Sequence, residues 1–181
     1  PVFNKEEQLL ILRAYVLAFI SHQFYNKNPK NTVLRAGKGR VPYIVHPVTV
    51  ALSMYYEMGR FYGENGKEIS AATIAAALLH DTIEDTEIAK IGEGDALNAL
   101  IERKDVLVER KNAWMVWKMV RNLTKREGEK DTEYLGRVIR SYEDPDFFDL
   151  YYQTLLIKLA DKLSSVRIDL DFMSEDDLKD P

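Results

Sequence analysis

The sequence predicts an all-α fold in a single domain. Nearly every long segment of the 181 residues carries apolar side chains at helical spacing, and no stretch alternates polar and apolar residues over the length of a strand. The chain has no repeat, low-complexity segment or linker that would divide it. With 46% hydrophobic residues, a chain of this length can bury one substantial core.

The first predicted helix begins with a capping box. Asn4 and Glu7 have the required spacing, and a broad apolar face continues as far as Phe24. The segment that follows, 26–41, is rich in Asn, Gly, Pro and Lys, which indicates a loop.

The second helix is predicted to begin after a short extended piece at 43–45 and to run to about Tyr62. Pro47 suits the first turn of a helix because a missing N–H costs nothing there, and His46 then lies at the cap. Turn residues at 63–67, glycines at 92 and 94, and Pro145 separate the remaining predicted helices: 70–86 with Ser70 as its cap, 95–103, 106–123, 131–142 and 147–168.

The composition excludes several classes of protein. A net charge of −4 argues against nonspecific binding of nucleic acid. No apolar run is long enough to span a membrane, and the apolar stretch near the N-terminus lacks the cleavage site of a signal peptide. The absence of cysteine excludes disulfides and thiolate chemistry and fits a cytoplasmic protein.

The segment LLHDTIEDT, residues 78–86, has the strongest chemical signal in the chain. In a helix, His80 and Asp81 share a face with Glu84, and Asp85 lies one turn after Asp81. Three carboxylates in one patch repel one another unless a divalent cation binds between them. Water activated by such a cation would give the patch a hydrolytic function.

Two further residues are candidate metal ligands. His46 precedes a predicted helix, where its side chain can project into a cleft, and Asp161 lies among apolar residues in LLIKLADKL. A buried aspartate is costly unless a cation compensates it, so the residues alone predict either a salt bridge or a metal ion at Asp161. The third histidine of the chain, His22, is interpreted as structural.

The predicted loop is locally basic. Between Asn26 and Val45 there is no acidic residue, and the basic residues are Lys27, Lys30, Arg35, Lys38 and Arg40. Such a segment is either a solvated loop or an anion-binding site on an acidic protein.

Three strings stand in order along the chain: VPYIVHPVTVA at 41–51, AALLHDTIEDT at 76–86 and LIKLADKLSSVR at 156–167. Together they resemble the HD superfamily of metal-dependent phosphohydrolases, and more narrowly the (p)ppGpp hydrolase domain of the RelA/SpoT family in its stand-alone, small alarmone hydrolase form. NLTK at 122–125 and RAYVLAFISHQ at 13–23 are weaker matches. The resemblance implies one HD-type helical bundle over 1–181, with a metal site between helices and without a synthetase domain.

The resemblance also implies roles for matching positions. Four fall on the family's metal ligands, where the ion is typically Mn²⁺: His46, His80, Asp81 and Asp161. Two fall on the acidic pair that positions and activates the attacking water: Glu84 and Asp85. The substrate-binding candidates are Arg35, Lys38, Arg40, Ser165 and Arg167.

The implied substrate is a purine nucleotide with a pyrophosphate on its 3′ oxygen. Water would attack the ester phosphorus and release pyrophosphate, which leaves GDP or GTP, or the adenine equivalents. Guanine and adenine both remain open, because Ser165 stands where the family has an Asn that contacts the nucleotide, and Ile168 where a Thr commonly faces the base.

Other functions compatible with the same motifs are a phosphatase for a different nucleotide and a non-catalytic regulator that binds an alarmone. The nucleotide in the first case would be a nucleoside monophosphate or the 2′-phosphate of NADPH. The sequence leaves open the oligomeric state and the existence of a companion toxic synthetase.

Overall fold

The computed structural model of the protein describes residues 3–25, 27, 42–60, 68–90, 107–141 and 148–172. Within these ranges the regular structure is helical and no strand is present, so the all-α prediction is confirmed. The α-helices are α1 Lys5–Phe24, α2 Val45–Ser53, α3 Ala71–Leu79, α4 Thr82–Asp85, α5 Leu107–Leu123, α6 Asp131–Ser141 and α7 Phe148–Phe172. The predicted helix at 95–103, and the predicted loops apart from Lys27, lie outside the described residues.

Helix α3 is the centre of the fold. All nine of its residues are buried, and it packs against α1, α2, α5 and α7. Five alanines keep its surface narrow, which lets the neighbouring helices approach closely. Ser70 caps α3 as predicted, because its hydroxyl accepts a hydrogen bond from the Thr73 N–H at 3.1 Å.

The capping box predicted at the start of α1 is also present. Asn4 Oδ1 accepts from the Glu7 N–H at 3.0 Å, and Glu7 Oε2 accepts from the Asn4 N–H at 2.9 Å. Among the helices of the described ranges, none has both the length and the apolarity needed to cross a bilayer.

Two local predictions around α2 are wrong. Residues 43–45 are not extended: the Val45 N–H donates to Pro42 O at 3.0 Å, and the His46 N–H donates to Tyr43 O at 3.2 Å. These turn bonds start the helix earlier, with Ile44 at the cap, so His46 is the second helical residue. Pro47 still lies in the first turn, as predicted. After α2 the helix widens into a π-helical turn at Met54–Met58.

The predicted continuous helix over 70–86 is interrupted at His80. Its Nδ1 atom lies 2.8 Å from Ala77 O, three residues earlier. That contact engages the carbonyl that would otherwise accept the Asp81 N–H in a continuing helix. Helix α3 therefore ends at Leu79, and His80 and Asp81 occupy the junction with α4.

Candidate metal centre

Two histidines and two aspartates from three parts of the chain meet beside the α3–α4 junction. His46 comes from α2, His80 and Asp81 from the junction, and Asp161 from the middle of α7. His46 Nε2 lies 3.2 Å from Asp161 Oδ1 and 3.5 Å from Asp81 Oδ2. His80 Nε2 lies 3.0 Å from Asp81 Oδ1 and 3.6 Å from Asp161 Oδ1. The two ring centres are 5.2 Å apart.

This centre favours positive charge. His46, His80 and Asp161 are buried, and the side chain of Asp81 is 24% exposed. Burial alone would lower the pKa of His80, but the Asp81 and Asp161 carboxylates outweigh it and raise that pKa to about 10. Burial alone would raise the pKa of both aspartates, yet the facing imidazoles hold each well below its ordinary value.

Each imidazole is oriented through its second nitrogen. His80 Nδ1 lies 2.8 Å from Ala77 O, a carbonyl that only accepts hydrogen bonds, so the proton belongs on Nδ1. His46 Nδ1 lies 3.2 Å from Ser164 Oγ on α7. With Nδ1 engaged in both rings, the two Nε2 atoms face the carboxylates.

The donor set fits a divalent transition-metal ion. Donor atoms of His46, His80 and Asp81 lie within 4.8 Å of one another, and Asp161 Oδ1 contacts both imidazoles. His80 Nε2 is buried and has no well-directed hydrogen-bond partner among the described residues, although Asp81 Oδ1 is 3.0 Å away. A metal ion that displaces the Nε2 proton would find an imidazole lone pair there, and mixed nitrogen and oxygen ligands suit ions such as Mn²⁺.

Glu84 and Asp85 lie on α4, directly after the junction that carries His80 and Asp81, and they contact different parts of the protein. Glu84 is exposed, and its Oε2 atom accepts a hydrogen bond from the Lys125 N–H at 3.3 Å. Asp85 accepts a hydrogen bond from the Tyr43 hydroxyl. The two carboxylates are therefore held by the segment after α5 and by the segment before α2.

A cavity of about 380 Å³ opens beside Glu84. Three lysines and a tyrosine lie in its wall, together with Asp131 and Leu135: Lys125, Lys158, Lys162 and Tyr134. Lys158 also donates a hydrogen bond to Asp161 Oδ2 at 2.9 Å. The cavity thus extends from Glu84 to the lysine that binds the candidate metal ligand Asp161.

The predicted substrate-binding residues are only partly within the described part of the chain. Ser165 is half-buried on α7, one turn after Asp161. Arg167 is part of α7, but its side chain is outside the described part of the structure. Arg35, Lys38 and Arg40 lie outside the described residues altogether. Lys27, counted with the basic loop in the sequence, donates to Glu84 O at 2.6 Å and to Ile83 O at 3.1 Å. It therefore contacts the C-terminal carbonyls of α4.

Three residues with a place at the site were not singled out from the sequence. Ser164 contacts His46, Tyr43 contacts Asp85, and Lys158 contacts Asp161. Lys158 had a weak signal, because a salt bridge between Asp161 and a basic side chain was one of the two predicted alternatives. Tyr43 and Ser164 lie inside the matched strings at 41–51 and 156–167, but nothing in the residue types alone indicated their contacts with Asp85 and His46.

The fold and this centre define the class of the molecule: an HD-type helical domain with a candidate metal site built from two histidines and two aspartates. In sequence the chain is similar to the guanosine-3′,5′-bis(diphosphate) 3′-pyrophosphohydrolase of Aquifex aeolicus (strain VF5), with 32% identity over 131 residues. That match covers 70% of the chain but spans only 14% of the relative's length. A comparison with models of known protein families finds no match.

In structure the chain is similar to a metazoan ortholog of SpoT that is described as hydrolysing ppGpp and acting in starvation responses. The TM-score is 0.50 at 20% identity, and the match covers 98% of this chain and 79% of the other. The sequence comparison confirms the predicted relationship to the RelA/SpoT hydrolases, and the structural comparison confirms the HD-type fold.

Proposed function

We propose that the protein is a metal-dependent hydrolase that removes the 3′-pyrophosphate from (p)ppGpp or a related purine alarmone. The observation that carries the proposal is the convergence of two imidazole Nε2 atoms and two aspartates, with Glu84 on the helix that follows. The similarity to a curated 3′-pyrophosphohydrolase over 131 residues points to the same substrate class. The reaction releases pyrophosphate together with GDP or GTP, or ADP or ATP.

The proposed metal ligands are His46, His80, Asp81 and Asp161, and the proposed ion is Mn²⁺. A divalent ion in such a set lowers the pKa of a coordinated water and neutralises charge on a phosphoryl group. His46 and His80 are suited to the task because their Nδ1 atoms are engaged and their Nε2 atoms face the centre.

Glu84 is the proposed proton acceptor for the attacking water, and Asp85 the proposed partner in orienting it. Glu84 is exposed at the mouth of the lysine-lined cavity, so its carboxylate can reach an incoming molecule. The Lys125 N–H limits its rotation without neutralising it. Asp85 is held through Tyr43.

Five residues are proposed to bind the nucleotide: Arg35, Lys38, Arg40, Ser165 and Arg167. The substrate carries several negative charges, which basic side chains bind well. Ser165 lies one turn of α7 after Asp161. It can therefore contact the base or ribose of a nucleotide whose 3′-phosphate lies at the metal centre. Lys38→Ala should raise KM with little effect on kcat, and an unchanged KM would remove Lys38 from the site.

The test is Mn²⁺-dependent release of pyrophosphate from ppGpp and ppApp, measured side by side, with phosphate release from NADPH as a control reaction. Release from either alarmone supports the proposal, and the ratio of the two rates defines the base preference. If metal binds but neither alarmone is cleaved, the proposed substrate class is wrong. Phosphate release from NADPH would then identify a nucleotide phosphatase.

A further inference from the structure

The two carboxylate oxygens of Asp161 have different neighbours. Oδ1 lies 3.2 Å from His46 Nε2 and 3.6 Å from His80 Nε2, on the side of the candidate metal centre. Oδ2 accepts a hydrogen bond from Lys158 Nζ at 2.9 Å, one helical turn earlier on α7. The carboxylate is therefore divided between the imidazoles and an ammonium group.

Lys158 is itself firmly placed. Its side chain is only 18% exposed, and Nζ lies 5.3 Å from the centre of the Tyr134 ring. The Tyr134 hydroxyl donates to Leu123 O at 2.7 Å, which fixes the ring between α5 and α6. Asp161 and the face of an anchored aromatic ring thus hold the ammonium between them.

We propose that Lys158 is a positioning residue of the metal centre: it holds Asp161 Oδ2 and so turns Oδ1 alone towards the ion. This inference rests on the proposed metal site. Residues that hydrogen-bond metal ligands orient them, and their loss typically weakens metal binding about 10- to 100-fold. A carboxylate released from Lys158 would rotate about its Cβ–Cγ bond and present its oxygens in several orientations.

The charge of Lys158 has an effect on metal affinity opposite to that of its positioning role, so the two can be told apart by experiment. The ammonium of Lys158 repels a nearby divalent cation, so removal of its charge alone would tighten metal binding. The positioning role predicts weaker binding, and the charge effect predicts stronger binding. The sign of the change in metal affinity therefore distinguishes the two.

Lys162 provides a matched control. Lys162 lies on the same helix and lines the same cavity as Lys158, but its side chain is exposed. The ion pair with Asp161 belongs to Lys158. Lys162→Met removes one positive charge near the centre and leaves the bond from Lys158 to Asp161 in place. Any difference between Lys158→Met and Lys162→Met then reports the loss of that bond.

The experiment is a titration of the metal-stripped full chain with Mn²⁺. Binding is monitored by calorimetry and, independently, by the electron paramagnetic resonance signal of free Mn²⁺. Lys158→Met should bind Mn²⁺ about 10- to 100-fold more weakly than the wild type, whereas Lys162→Met should bind as tightly or slightly more tightly. If Lys158→Met binds as tightly as Lys162→Met or more so, the positioning role is wrong.

Circular dichroism and thermal unfolding check that each variant is folded. Should Lys158→Met not fold, Lys158→Gln serves in its place, because it keeps a polar group at the buried position, and it too is expected to bind Mn²⁺ more weakly. Failure of the wild type to bind Mn²⁺ would overturn the metal site itself. Mn²⁺ binding by the wild type without alarmone cleavage would overturn only the proposed substrate.

Discussion

The hydroxyl group of Tyr43 donates a hydrogen bond to the carboxylate of Asp85, which joins the turn before α2 to the end of α4. The Tyr43 ring stacks on the ring of His22 from α1, with centres 4.3 Å apart and planes at 21°. Burial lowers the pKa of His22 to about 4, so this imidazole is neutral at pH 7. A neutral ring packs against the phenol without an ionic cost, and Asp85 is thereby supported from α1.

Tyr43→Phe should reduce kcat about tenfold, because it removes one hydrogen bond to a charged carboxylate and leaves the stacked ring in place. KM and the affinity for Mn²⁺ should change little. Steady-state kinetics of pyrophosphate release measures the split. Tyr56→Phe is the control, since it removes a hydroxyl from an exposed tyrosine. An unchanged kcat in Tyr43→Phe would show that Asp85 needs no such support.

Ser164→Ala should weaken Mn²⁺ binding about tenfold, because His46 Nδ1 loses the hydroxyl 3.2 Å away that orients its ring. Ser164 is fully buried, so no bulk water reaches the ring to replace the lost contact. Calorimetric titration gives the affinity directly. Ser165→Ala, one position further along α7, is the comparison, and equal Mn²⁺ affinities in the two variants would contradict the assignment.

Glu84→Gln should retain Mn²⁺ and lose about 10²- to 10⁴-fold in kcat, because the amide cannot accept a proton from water. The Lys125 N–H can still donate to the amide oxygen, so the side chain keeps its position. Pyrophosphate release and metal titration are measured on the same sample. Glu127→Gln, at an exposed position, controls for loss of negative charge. Normal turnover in Glu84→Gln would remove it from the proposed role.

Asp81→Ala should abolish both Mn²⁺ binding and activity, because the ion loses a ligand and His80 loses the nearest counter-charge. In the wild type, saturating Mn²⁺ at about 100 times its Kd should stabilise the fold by about 2.7 kcal/mol and raise Tm by roughly 5–10 °C. Chelation with EDTA should reverse the shift. Thermal unfolding with and without Mn²⁺ measures both effects, and a Tm rise retained in Asp81→Ala would place the ion elsewhere.

Local signals predicted much of the fold correctly. The capping box at Asn4 and Glu7 and the cap at Ser70 are short-range hydrogen-bond patterns, so neighbouring residues suffice to define them. Helices α5 and α6 also begin and end within one residue of the predicted bounds. Helix α7 continues four residues beyond its predicted end, to Phe172, because no strong stop signal follows it.

The errors occurred where a hydrogen bond to a nearby backbone carbonyl overrides the structure that the sequence pattern favours. A propensity pattern treats His80 as one more helical residue, but its imidazole contacts Ala77 O and ends α3 early. Likewise, residues 43–45 have strand-like side chains, and the turn bonds to Pro42 and Tyr43 override that preference. Both differences lie beside the candidate centre, and both decide where a candidate ligand points.

The sequence by itself determined the helical class and the residue types of the candidate centre, because periodicity and short strings of side chains are local properties. The tertiary structure alone decided that His46 and Asp161, 115 positions apart in the chain, lie 3.2 Å from one another. It also decided that Ser164, Lys158 and Tyr43 hold the candidate ligands and acids. Those contacts depend on how α2, α3 and α7 pack, and packing distances between distant segments have no local signature in the chain.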